Sequence, residues 1–144
     1  MKFTLKRKEL KALSRFASKQ DIRFYLMGVC VTQDERGTII EATNGHMLGR
    51  LLVSMEPHET RKRVIIKSSD IDKLKGTKKA ADDWLHFTVD GMKIEVIAND
   101  GSMTLTALEG NFPDTDRVTP KILRDEDATP ANFNPEYLMA FMQA

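Results

Sequence analysis

The sequence has a single cysteine, Cys30, so it forms no disulfide of its own. A lone thiol fits a reducing compartment and excludes the disulfide-stapled secreted scaffolds. Paired-cysteine zinc motifs are excluded with it. The three histidines, His46, His58 and His86, show no HExxH spacing, so no metal site is expected. Long apolar runs are missing. The N-terminus, "MKFTLKRKELK", has no apolar core of signal-peptide length, and no stretch approaches a membrane span. The chain reads as cytosolic. Its glycines at 45, 49, 91, 101 and 110 match neither a P-loop nor a nucleophile elbow. The acids Asp82-Asp83 and Asp125-Glu126-Asp127 fall in polar loops and read as solvated. Asp114 and Asp116 flank a turn after Pro113, a position where Asp caps backbone. No constellation points to an enzyme, and no cofactor is implied.

What is present suffices for one domain. The 144 residues are 41% hydrophobic and 30% charged, as in ordinary globular chains. The net charge of +1 hides a strong segregation. Residues 1–23 carry eight basic side chains against Glu9 and Asp21, a balance of +6. Residues 61–80 carry eight more against Asp70 and Asp72, again +6. Residues 109–144 carry seven acids against three bases, a balance of −4. Two basic segments suit a polyanion partner, although charge alone favours a solvated helix face.

The order of elements repeats. "FTL" (Phe3 to Leu5) is strand-like. Leu10, Leu13, Phe16 and Ala17 then recur at helical spacing, with Arg7, Lys8, Lys11, Arg15 and Lys19 mostly off that stripe. "FYLMGVCVTQ", "GTIIEAT" and "MLGRLLVS" follow as strands, parted by "DERG" and "NGH". The pattern restarts with the strand "RVIIK" and a short helix "SSDIDKLK", with Ser68 or Ser69 as the expected N-cap. "WLHFTVD", "MKIEVIA" and "SMTLTALE" complete it, with Asp90-Gly91 and Asp100-Gly101 as turns. Leu5, Glu9, Leu10 and Leu13 lie over Ile66, Asp70, Ile71 and Leu74. Two βαβββ repeats, 1–60 and 61–120, therefore predict one α+β domain with pseudo-two-fold symmetry. Its helices pack side by side on antiparallel sheets, which puts both basic segments on one side.

A third start, "ANFNPEYLMAF", follows an acidic linker within residues 121–144. Phe133, Leu138 and Phe141 fall where Leu5, Leu10 and Leu13 fall. Asn134 suits an N-cap and Pro135 the first helical position. Either the natural protein continues, or this helix docks on its own domain or on a neighbour. Trp84, Phe87 and Tyr137 read as core or interface. Strand alternation at Phe24 and Tyr25 puts one ring inward and one outward, where it meets either solvent or a nucleic acid.

Three blocks, "DIRFYLMGVCV", "ATNGHML" and "LEGNFPDTDRVTP", occur in the order and spacing of a known family. Residues 1 to 120 resemble the middle domain of the bacterial DNA polymerase III beta subunit, the sliding clamp, with its "DVRYYLNG", "ATDGHRL" and "GRFPDYRRVLP". The resemblance implies the DNA-clamp fold and a non-catalytic processivity factor. Clamp domains join head to tail in a ring whose helices face duplex DNA. By resemblance, sequence-independent phosphate contacts fall to Lys8, Lys11, Arg15, Lys19, Lys73 and Lys75, with Arg23, Phe24 and Tyr25 in loops that touch DNA. The family also binds short peptides of polymerases and repair factors. The matched positions are Leu26, Thr43, Gly45, His46, Met47, Leu48 and Pro120. Asn44 replaces the family's usual acid and Met47 its usual arginine, which makes the groove rim less polar. With one domain instead of three, the chain is expected to be a phage- or plasmid-type homologue, or part of a longer clamp-like chain. It is expected to assemble head to tail as a homo-oligomer. A single-domain interaction protein that binds clamp partners, or a clamp, without encircling DNA is the alternative.

Overall fold

The computed structural model describes residues 1–74, 83–119 and 134–144. Strand β1 (Lys2–Lys6) runs directly into helix α1 (Arg7–Ser14), followed by β2 (Gly28–Asp34), β3 (Gly37–Thr43) and β4 (Leu48–Ser54). Strand β5 (Lys62–Lys67), helix α2 (Ser68–Lys73), β6 (Trp84–Asp90), β7 (Lys93–Ala98) and β8 (Gly101–Thr106) repeat that order. Helix α3 (Pro135–Gln143) follows. The two βαβββ units match the sequence pattern, and the fold is α+β.

The strands form two antiparallel four-stranded sheets, ordered β1-β6-β7-β8 and β4-β3-β2-β5. Each repeat thus lends its first strand to the other. Phe3 lies opposite Phe87 in the β1–β6 pair, and Val31 lies opposite Val64 in the β2–β5 pair.

The first sheet alternates cleanly. Leu85, Phe87, Ile94, Val96 and Leu105 are buried, while His86, Thr88, Glu95 and Thr104 face solvent. That pattern marks a sheet with one covered face. The second sheet is covered on both faces, and every residue of β2 and β3 is buried. Its inner face puts Val29, Val31, Ile40 and Ala42 into a core shared with Leu10, Leu13, Phe16 and Ile71 of the helical segments. Its outer face carries Cys30 and Ile65, covered by Phe112 and Leu108 of the chain beyond β8.

Three local readings differ from expectation. The apolar run from Phe24 predicts a strand, but Phe24–Met27 is a 3₁₀ turn and β2 begins at Gly28. Asp21 Oδ1 accepts the Arg23 backbone N–H at 2.8 Å, and Leu26 N–H donates to the Arg23 carbonyl at 2.8 Å. These local bonds satisfy backbone groups that a ladder would otherwise pair. The helix α2 is capped by Lys67, with no side-chain cap bond, rather than by Ser68 or Ser69. Arg7 is buried rather than part of the basic face; its guanidinium binds Asp83 and reaches Asp100 at 3.2 Å.

Phe3 and Phe87 stack at 4.8 Å with an interplanar angle of 13°, across the seam between the repeats. Phe87→Ala is expected to cost about 3–5 kcal/mol by the usual penalty for deleting a buried aromatic. Equilibrium urea unfolding measures it, and a loss below about 1 kcal/mol would contradict the packing role.

Candidate functional site

The β3–β4 turn is held by its own side chains. Asn44 Oδ1 accepts the backbone N–H groups of His46 at 2.9 Å and Met47 at 3.0 Å. The Thr43 hydroxyl accepts from Gly45 N–H at 3.0 Å and donates to the Met47 carbonyl at 2.7 Å. Asn44 therefore closes the turn without an acid at that position. Gly45 has φ +90°, in the left-handed region that favours glycine. Four residues on, Gly49 lets α1 approach β4: a Cβ there would come within 2.8 Å of the Phe16 ring and 2.9 Å of Leu13.

The turn and the end of α1 enclose an apolar groove of about 960 Å³. Leu26, Thr43, Gly45, His46, Met47 and Leu48 all line it, although they come from two separated stretches of sequence. Pro120, the seventh matched position, lies outside the described residues, as does Lys75. Leu13 and Phe16 also line the groove, and so do Phe141 and Ala144 of the tail. The helical stripe assigns Leu13 and Phe16 to the core alone. Phe141 carries a sequence signal, since the third repeat start aligns it with Leu13.

The tail helix docks on its own domain. Phe141 meets Phe16 edge to face at 4.8 Å, and Tyr137 stacks on His46 at 5.9 Å. Arg15 Nη1 donates to the Gln143 carbonyl. Asn134 caps the helix by accepting from Glu136 N–H at 2.9 Å, with Pro135 at its start, as the sequence predicts.

An ionic network backs one side of the groove. Arg50 Nε donates to the buried Glu41 carboxylate at 2.6 Å, and Arg50 also pairs with Asp116 at 2.9 Å. Thr115 bonds both Arg50 and Glu41. Arg36 bridges Asp116 at 3.1 Å and Asp34 at 2.7 Å, and its guanidinium holds the Asp34 carboxyl below the usual range. The network ties the segment after β8 to β3 and β4.

The basic candidates divide. Lys8 is exposed at the edge of the groove. Lys11 is half-buried and Lys19 exposed. Arg15 is tied to the tail, Arg23 pairs with Asp21 at 2.9 Å, and Lys73 pairs with Asp70 at 2.8 Å. Phe24 is the exposed ring of its pair, at 67% exposure, and Tyr25 packs against the Cys30 cluster. The inward–outward split therefore holds, although the backbone is a 3₁₀ turn. Cys30 is buried, and burial pushes its thiol up to about 12. Such a group is no nucleophile at neutral pH. Among the described residues, no group of three metal-ligating side chains could hold an ion. No described helix is long and apolar enough to cross a membrane.

Paired βαβββ units sharing two sheets, with their helices side by side, define a clamp-type domain. The family model for the DNA polymerase III beta subunit, central domain, matches residues 4–114. The chain belongs to that family. The DNA polymerase III subunit beta of Pseudomonas aeruginosa is similar at 25% identity with a TM-score of 0.70, over 84% of this chain and 35% of that one. The beta chain of Streptococcus pneumoniae is similar at 25% identity and 0.67, over 85% of this chain and 34% of that one. A P. aeruginosa sliding clamp bound to griselimycin matches at 26% identity and 0.68, over 84% and 34%. The chain thus spans about a third of the length of these structures. No curated protein matches it.

Two outcomes are expected from the site's chemistry. Arg50→Ala strands the buried Glu41 carboxylate and should cost about 3 kcal/mol, the lower end for breaking a buried pair. Chemical denaturation of the variant at neutral pH measures this. Because the Cys30 thiol is raised in the folded chain, its contribution is complete below the unfolded value near 9 and is lost as pH rises towards 12. Urea midpoints should fall more steeply between pH 9 and 11 for the natural chain than for Cys30→Ala; equal slopes would refute the shift.

Proposed function

We propose that this chain is a non-catalytic module of a DNA sliding-clamp-type processivity factor. In this reading residues 1–120 form one clamp domain and residues 121–144 a linker and tail helix. The observation that carries the reading is the groove. Six positions singled out by family resemblance line one apolar cavity beside a backbone-rich turn. A concave apolar site with a few fixed polar groups suits the anchors of a short extended peptide. Met47 supplies a flexible apolar wall, which favours apolar over acidic anchors.

Duplex DNA is the second proposed partner, held by phosphate contacts from Lys8, Lys11, Arg15, Lys19, Arg23, Lys73 and Lys75, with Phe24 and Tyr25 alongside. Contacts of that kind are weak and carry no sequence information, which suits sliding. Head-to-tail assembly with further copies or domains would close a ring. The pairing of Arg23 with Asp21 and of Lys73 with Asp70 supports the other reading, an interaction module that holds peptides without encircling DNA.

Retention on circular duplex DNA, lost on linearisation, separates the two. In the triple variant Lys11→Gln, Lys19→Gln, Lys73→Gln, the dependence of log binding on log salt should flatten by about 0.9 for each phosphate contact removed. An unchanged slope would sink the DNA-facing assignment. For the groove, griselimycin and a fluorescein-labelled Leu-Ser-Phe-Ser-Leu peptide serve as probes. The peptide's alternating apolar residues share one face of an extended backbone. Failure of both to bind would count against the peptide site.

A further inference from the structure

We infer that the tail helix α3 is the second wall of the groove, with Phe141 as the side chain that selects an apolar anchor. This rests on the peptide-groove reading and goes beyond it, because no position beyond residue 120 is implied by the family resemblance.

Several independent contacts place the helix. Its first turn stacks Tyr137 on His46, in the turn that forms one lip of the groove. Its last turn sets Phe141 edge-on against Phe16 on the floor. Its C-terminal end accepts a hydrogen bond from Arg15 of the segment after α1. Ala140, between them, is buried in the main core. A helix fastened at both ends by different elements borders the cavity as a fixed surface.

The helix borders the groove and does not fill it. About 960 Å³ remains open with α3 in place, at the upper end of ordinary ligand sites. Phe141 retains 56% exposure while touching Phe16, so a large part of its ring is available to an occupant. Met47 and Leu48 line the same cavity. An aliphatic or aromatic anchor seated between them and Phe141 is desolvated on both sides. Met47, Leu48 and Phe141 offer a charged anchor no polar partner, and the charged residues Lys8, Glu9, Arg23 and Arg50 come from other parts of the groove's lining. The partner is therefore a peptide with apolar anchors, and the chain supplies two walls of its site by itself.

The test uses the full chain and the fluorescein-labelled Leu-Ser-Phe-Ser-Leu peptide, read by fluorescence anisotropy. Alanine is the best helix former, so Phe141→Ala keeps the helical backbone while removing the ring that borders the groove and meets Phe16. Phe141→Ala should weaken binding about tenfold, a loss of about 1.4 kcal/mol. Tyr137→Ala should weaken it similarly by loosening the helix, and Phe141→Leu should stay within about threefold of the natural chain. Met142→Ala, 86% exposed on the same helix, should leave binding unchanged. If Phe141→Ala binds as well as the natural chain or more tightly, α3 is not a wall and the inference falls, while the groove reading stands. If Met142→Ala weakens binding as much as Phe141→Ala, the assignment to Phe141 falls. If the natural chain binds griselimycin but not this peptide, the assignment to Phe141 falls; if it binds neither, the groove reading falls and the inference with it.

Discussion

The exchange of first strands between the two repeats is the constraint on which the rest of the molecule depends. β1 completes the sheet of the second repeat, and β5 completes the sheet of the first. Each strand leads straight into its helix, so the exchange draws α1 and α2 together over one core. Arg7 holds the first junction. It sits at the first position of α1, and both its backbone N–H and its guanidinium bind Asp83, just ahead of β6. With the Arg7 side chain only 7% exposed, removing either partner strands a buried charge and costs far more than losing a surface pair. Everything at the groove follows from where α1 then points. Its last turn crosses β4 at Gly49, the one place on that strand where no side chain obstructs it.

The ion pairs of the molecule differ in weight, and only the buried ones back the groove. The exposed pairs Lys73–Asp70 and Lys93–Glu95 are each worth about 0–1 kcal/mol. The Glu41–Arg50–Thr115 contacts are mostly buried and bridge elements far apart in sequence. Their role is to fix the segment after β8 against β3 and β4, so that the groove keeps its shape without an occupant. The turn at Thr43–Met47 adds four short bonds within five residues and is rigid for that reason. A preformed apolar site with little to reorganise loses less entropy when it binds.

Much of this architecture was legible in the sequence, because period and turn chemistry are local signals. The two βαβββ units, the Asn134 cap and the β3–β4 turn can all be found by inspection. What escaped was long-range. Nothing in "FTL" or "RVIIK" says which sheet it joins, since both sheets accept the same alternating strand. Arg7 reads as one more basic residue until Asp83, 76 positions away, is brought beside it. The 3₁₀ turn at Phe24–Met27 escaped for the opposite reason. There a single local side chain, Asp21, outweighs an apolar run that favours a strand. For the groove, resemblance picked out the lining of one side. The helical stripe hid the floor, because a residue that packs inward and also borders a cavity looks like core. The position of Phe141 in the repeat pattern marked it as a packing residue without saying against what.

The strand exchange also sets the order in which this chain can fold. Thr4 bonds His86 across 82 positions, and the N-terminal amine donates to the Val89 carbonyl across 88. β1 therefore has no sheet to join until most of the chain exists. Meanwhile β2, β3 and β4 can pair as a local meander, and β6, β7 and β8 as another. Closing loops of this length is entropically costly and slows folding relative to local pairing. The two meanders are the local pairings of this fold, and the interlock that makes them one body is its long-range one.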